Sequence, residues 1–302
     1  MKPIVYCACS DLGTHISGDE LGPVQLVNDI KSFYTNEIYE SKRDESIIKS
    51  RNLSDRRKNE YEIDKYNSNI YQELLQLKQD DNNFIITIGG DDTITIPSAL
   101  ADKEKYKDVG LLYFTGASLF DTFETTQNGN LKDLTIASIV GYKNDAMRYY
   151  HPEAYQAARC VIIGIRNITD QQKDNLRYAG IEYITAQQIK ENGIEEIVEK
   201  AFENANYKTK GIHICVSMSF IDPEYAPGVS EPVFDGLDET VFTSIHELFV
   251  KHINEIISYD LVDFNPLRDV DRKTEQIAVN ALAQMVNAAQ YKDKDAVTDK
   301  MY

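Results

Sequence analysis

Phe84–Leu100 reads FIITIGGDDTITIPSAL, and its first half decides the fold. Phe84 to Ile88 is an apolar, β-branched run of the length of one buried strand. Gly89 and Gly90 then let the backbone turn tightly or approach a neighbour closely. Ile94, Ile96, Ala99 and Leu100 carry apolar positions onward into a helix. Strand, tight turn and helix in that order make one unit of an α/β fold, where ligands bind at the carboxyl ends of the strands. Asp91 and Asp92 stand at that end. Such a pair can hold a metal, cap the helix, or mark a site whose chemistry has changed.

Similar units recur on both sides. Strands are expected at Pro3–Cys9, Val109–Phe114, Cys160–Ile165, Gly211–Ile221 and in ISYDLVDFNPL near the end. Helices are expected after Gly22-Pro23, at Asn67–Leu77, in TDQQKDNLRYAG, in ETVFTSIHELFVKHINEI and at Lys273–Ala289. This alternation predicts a mostly parallel sheet covered on both faces, and no break in composition divides residues 1–302. Residues 37–66 are highly polar and read as a solvated excursion, with the locally basic KSRNLSDRRKNEYE inside it. The tail from Gln290 to Tyr302 reads as polar and frayed.

Composition narrows the partners. A formal net charge of −17 over 302 residues argues against nucleic acid and anionic membranes, both of which need a positive surface. No stretch approaches the length of an apolar membrane span, and MKPIVYCACSDLG lacks the apolar region of a signal peptide. Cys7, Cys9, Cys160 and Cys215 lie in or beside apolar runs, as buried free thiols do, which points to a reducing, cytoplasmic setting.

Five strand-to-loop junctions line up with one family. GGDDTITI resembles a Gly-Gly-Asp-His segment, and TGASLFDTFETTQNGNL resembles Asp-Ala-His-x-Asp with a downstream Ser-Gly-Asn-Leu-His. IGIRNIT resembles a Gly-Leu-Arg-Asp-x-Asp strand end. VSMSFIDPEYAPGVSEPVFDGL resembles Ser-Phe-Asp-x-Asp-x-x-Asp-Pro followed by Ala-Pro-Gly and Gly-Gly-Leu, and YDLVDFNPLRD resembles Asp-x-x-Glu-x-Asn-Pro. In this order, from about Asp19 to Val286, they resemble the arginase, agmatinase and formimidoylglutamase family of ureohydrolases. The resemblance implies a three-layer α/β/α sandwich, trimeric or hexameric self-association, and two manganese ions whose bridging hydroxide attacks a guanidinium or formimidoyl carbon.

The same resemblance implies that the metal ligands are missing. The family's first ligand histidine falls on Asp92, and the three ligands of its second segment fall on Thr115, Ala117 and Leu119. Its two later aspartates fall on Ser217 and Ser219. Only Asp92 offers an ionisable side chain, and neutral hydroxyls do not balance two divalent charges. A lone magnesium or calcium on Asp92, hydroxyls and waters is the weaker metal alternative. The proton-shuttling histidine falls on Lys132 and the guanidinium-contacting glutamate on Asp263, while Asp121 and Asn128 fall where the substrate carboxylate is met. Asn167 and Thr169 replace aspartates that recognise an amino group. Gly89, Gly90, Asp91, Asn130, Arg166, Asp222, Asn265 and Pro266 match the family and read as turn formers and local hydrogen-bonding groups.

Other chemistries have less behind them. His213, Cys215, Ser217 and Ser219 share strand parity, so a cysteine or Ser/Lys hydrolase is conceivable, with a packed strand interior as the plainer reading. His15, His151, His246 and His252 read as loop or surface-helix residues. The sequence therefore predicts a metal-free ureohydrolase-like protein lacking arginase or agmatinase activity, with a scaffold, regulatory or small-molecule-binding role. The alternative is a hydrolase of non-peptide C–N bonds with an altered site. The residual pocket residues are Asp92, Asp121, Asn130, Lys132, Ser217, Ser219 and Asp263. Asp92, if buried, needs a partner, and Lys132 or a cluster of backbone N–H groups is expected to supply it.

Overall fold

Among the described residues the apolar runs become eight strands, paired in parallel in one sheet. The computed structural model describes residues 1–34, 37–42, 57–142 and 153–293. In chain order the strands are β1 (Lys2–Ala8), β2 (Ile38–Glu40), β3 (Asn83–Gly89), β4 (Gly110–Phe114), β5 (Cys160–Ile165), β6 (Glu182–Thr185), β7 (Ile212–Ser217) and β8 (Ile256–Val262). Their spatial order is β2-β1-β3-β8-β7-β4-β5-β6. The stretch that opened the sequence reading forms β3, near the middle, directly beside β8.

Alternation along each strand sorts its side chains onto two cores. Val5, Ile86, Leu112, Ile214 and Leu261 face a layer built by α1 (Gly22–Ile30), α6 (Ala186–Asn192), α7 (Ile194–Asn206), α8 (Glu239–Lys251) and α9 (Lys273–Tyr291). Ile4, Tyr6, Ile85, Leu111 and Cys215 face α2 (Glu60–Leu77), α3 (Thr95–Tyr106), α4 (Thr135–Ile139) and α5 (Asp170–Ala179). The result is the expected α/β/α sandwich around a parallel sheet.

Three local readings are corrected. The polar stretch 37–66 is not wholly a solvated excursion. Ile38–Glu40 pairs beside β1 as the edge strand, and α2 already begins at Glu60, with Ile63 and Tyr66 buried against the sheet. The apolar positions Ile63, Tyr66, Ile70 and Leu74 explain it, since they keep helical spacing through a charged background. Residues 49–56 of the basic segment lie outside the described residues, as does His151. The tail does not fray at Gln290, because α9 continues to Tyr291 and buried Lys292 donates to the carbonyls of Ile253 and Asn254 at 2.9 and 3.0 Å. His246 is not a surface residue. It lies in the core with one ring nitrogen 2.8 Å from the Phe242 carbonyl and the other 2.8 Å from the Tyr259 hydroxyl. Burial pushes its pKa down to about 4, which keeps it neutral.

Candidate functional site

The carboxyl ends of β3, β8, β7 and β4 lie side by side, and the candidate residues leave the sheet there. Gly90 makes this close assembly possible, because a Cβ at that position would lie 1.8 Å from the Ser10 carbonyl oxygen. Asp91 turns away from any ligand role. Its carboxylate accepts from the backbone N–H groups of Thr93 and Gly13 at 2.8 and 2.9 Å and from the Thr93 hydroxyl at 2.6 Å. It caps the short 3₁₀ turn at Asp92–Ile94.

Asp92 is almost fully buried and accepts a hydrogen bond from the Tyr113 hydroxyl at 2.9 Å. Burial, reinforced by Asp263, pushes its pKa up to about 8 against the pull of Lys132 and Tyr113. At neutral pH it is therefore mostly a neutral acid. The expected partners are not the ones it uses: the hydroxyl of Tyr113, a strand residue two positions before Thr115, takes that place. A tyrosine there read as core from its apolar neighbours, so nothing in the sequence separated it from packing.

Lys132 reaches a different acid. Its ammonium lies 3.0 Å from Glu231 and 3.8 Å from Asp263. Burial works against the charged form, yet Asp263, Glu231, Asp92 and Asp19 together hold its pKa well above the lysine value. Glu231 also works against burial, and Lys132 keeps it below the usual carboxylate range. Asn130 ties this pair to the loops, with its side-chain nitrogen 2.9 Å from both Glu231 and His15. Sequence reading missed Glu231 and Asp19. Asp19 opens the short 3₁₀ turn Asp19–Leu21 and Glu231 lies in a loop, both far along the chain from Lys132, and only the fold brings them together.

Asp263 accepts from the Ser217 hydroxyl at 3.3 Å, while its other oxygen, Oδ1, has no hydrogen-bond partner. Burial raises its pKa, and Lys132 counters the rise. Ser217 and Ser219 bond to each other at 2.9 Å, and Thr115 lies 3.4 Å from Ser219. Ser219 has left the strand for a 3₁₀ turn, Met218–Phe220. Leu119 is buried, with a left-handed φ of 47°, and packs in the core beneath the loop with Phe120.

These positions do not fit a pair of manganese ions. Ala117 and Leu119 have no donor atom, Thr115, Ser217 and Ser219 offer only neutral hydroxyls that bond one another or Asp263, and Asp92 is the one ionisable side chain among the six positions. Among the described residues no group of three or more His, Cys, Asp or Glu side chains is arranged to hold a metal ion.

The nucleophile alternatives meet the same test. Cys215 is buried against the Thr95 hydroxyl at 3.1 Å, and burial raises its pKa well above the thiol value. His213 directs its ring nitrogens to Asp102 at 2.8 Å and Asp260 at 3.1 Å. Lys132, held charged, is no base for Ser217 or Ser219.

Above the cluster lies a cleft of about 420 Å³, bordered by Ala117, Leu119, Asp121, Asn128, Asn167 and Thr169. Asp92, Lys132, Ser217, Ser219 and Asp263 do not line it. Asp121 is held by the Thr125 hydroxyl and the Gln172 amide, both at 2.9 Å. Arg166 sits at the rim, but its guanidinium is occupied by backbone carbonyls, among them Ser219 and Phe220 at 2.8 and 2.9 Å.

Comparison with known proteins places this geometry. A family model described as "Arginase family" matches residues 2–287. Arginase of Bacillus caldovelox is 26% identical over 205 residues, 67% of this chain and 68% of that protein. Arginase of Plasmodium berghei is 26% identical over 264 residues, 84% of this chain and 73% of its own length. Two solved structures share the fold: Bacillus caldovelox arginase, with a TM-score of 0.82 at 21% identity over 95% of this chain and 98% of that one, and Entamoeba histolytica arginase with L-ornithine, with a TM-score of 0.84 at 20% identity over 94% and 97%.

Proposed function

This chain belongs to the arginase family, and from that premise we propose that it keeps the fold without the dinuclear-manganese chemistry, serving as a scaffold, regulatory or small-molecule-binding member. One observation carries the reading. Where the resemblance assigns six metal ligands, the chain offers one carboxyl, three hydroxyls and two side chains with no donor atom. Without anionic or imidazole donors, neither activation of a water molecule nor screening of developing charge has a support.

The cleft supports the small-molecule reading. Its walls carry Asp121, Asp133 and several amides and hydroxyls, while its one guanidinium is spent on the backbone. Such walls favour a ligand with a positive or neutral polar head over one with a carboxylate. Self-association as a trimer or hexamer, and a cytoplasmic setting, belong to the same proposal. Among the described residues no helix is long and apolar enough to cross a membrane.

The test is a hydrolysis assay on protein preloaded with manganese, offering arginine, agmatine and formimidoylglutamate. No urea and no formamide above the protein-free rate is expected. Turnover of any of the three would overturn the proposal, and ammonia release from another C–N substrate would favour the altered-hydrolase alternative.

A further inference from the structure

Lys132 is a buried ammonium among four carboxyl groups from four separate segments. It contacts Glu231 at 3.0 Å and Asp263 at 3.8 Å, and the fields of Asp92 and Asp19 also act on it. Asp19 is fully buried, bonds the Ser230 hydroxyl through Oδ1, and leaves Oδ2 without a partner. Asp263 Oδ1, likewise without a hydrogen bond, faces Lys132 Nζ at 3.8 Å. Carboxyl groups concentrated in a low-dielectric interior need a positive charge among them. The Lys132 stem is anchored for that purpose: its backbone N–H donates to the Gly13 carbonyl at 3.0 Å, in the loop that leads on to Asp19. Asn130, two residues earlier, grips Glu231.

We propose that Lys132 Nζ is the built-in cation of this site, a covalently tethered ammonium that takes the charge-balancing place of a bound divalent ion among Asp19, Asp92, Glu231 and Asp263. The inference rests on the metal-free reading and deepens it. Losing the ligands removes the ions, and it also leaves residual carboxyl groups that would repel one another. A lysine settles both at once, because its tethered charge lies within reach of both Glu231 and Asp263 with no ion to be bound. The site then no longer needs a metal to be stable, and the ammonium occupies space beside Glu231 and Asp263 that a cation would need.

A thermal-melting cycle on the full chain tests this, with K132M, D263N and the double variant at neutral pH. K132M is expected to lower Tm by about 10 °C, the scale of an uncompensated buried charge in a chain of this size. The double variant is expected to melt above K132M alone, since it removes one of the two acids that K132M strands. Strictly additive effects would overturn the inference while leaving the metal-free reading intact.

If K132M does not fold, nitrogen-15 NMR of the unmutated protein supplies the second readout. A slowly exchanging lysine ammonium that stays charged beyond the ordinary lysine range and is not broadened by added manganese is the expected signal. A neutral amine at that position overturns the inference alone. Selective broadening of that resonance by manganese overturns both the inference and the metal-free reading.

Discussion

At the residue scale, the matched and the altered positions do different work. Asp91, Arg166, Asp222 and Asn265 match the family pattern and spend their polar atoms on the backbone. Asp222 accepts from the N–H groups of Glu224 and Gly236 at 2.9 and 2.7 Å, and Asn265 donates to the Ser17 carbonyl at 3.1 Å. Arg166 is the most committed, gathering carbonyls from Gly164, Ser219, Phe220 and Val233. Arg166→Met is therefore expected to cost about 3 kcal/mol in urea unfolding, because it strips charged donors from buried carbonyls. A loss under about 1 kcal/mol would show that water replaces the guanidinium freely. Asp91 and Asp222 were legible as turn formers because each accepts from a backbone N–H two residues on, whereas the Ser219 and Ser17 carbonyls that Arg166 and Asn265 reach lie far along the chain. The partner of Asp92 was not legible either. Tyr113 is an aromatic residue inside an apolar strand, and its hydroxyl becomes relevant only when β4 is laid beside β7 and the β3 turn.

At the element scale, β7 and β8 carry a second polar system deeper in the molecule. Lys78 from the end of α2 pairs with Asp102 of α3 at 2.6 Å, Asp102 meets His213 of β7, and His213 meets Asp260 of β8. The Ser258 hydroxyl bonds both Asp102 and His213, and Tyr106 and Tyr155 lie within the field of Asp102. Burial lowers the His213 pKa, but Asp260 and Asp102 outweigh it and raise the value to about 9. A raised folded pKa stabilises below the unfolded value, near 6.5, and that contribution is lost as pH rises through about 9. Its size is about 3 kcal/mol at full effect. Denaturant unfolding of the wild type and His213→Gln is expected to differ by that order at pH 6, with the gap narrowing above pH 9. A gap that stays constant from pH 6 to 10 would contradict a folded imidazole that titrates near 9. Strand parity had already put His213 and Cys215 on one face, which is what alternation can say. It could not say that acids from α3 and β8 would meet that face, since helix packing and strand order set those contacts.

At the scale of the whole molecule, the fold was legible because its signals are local and repeated. Apolar runs end in Gly or Asp turns, helical spacing follows, and the order of loops matches one family. The three-layer sandwich and parallel sheet follow from that, and the comparison with solved arginases agrees. The edge strand Ile38–Glu40 was hidden because three residues, none of them fully buried, carry little periodic signal. At the candidate site the sequence could say only which donor atoms Thr115, Ala117, Leu119, Ser217 and Ser219 carry or lack, because that much is side-chain chemistry alone. The replacement was not legible, because Lys132, Glu231, Asp19 and Asp263 are separated by long stretches of chain. The most direct test of this account is an anomalous difference map at the manganese edge, from crystals grown with millimolar manganese chloride. The account predicts no peak among Asp92, Thr115, Ser217 and Asp263, with the Lys132 ammonium in ordinary density; two strong peaks a few ångströms apart beside Asp92 would contradict it.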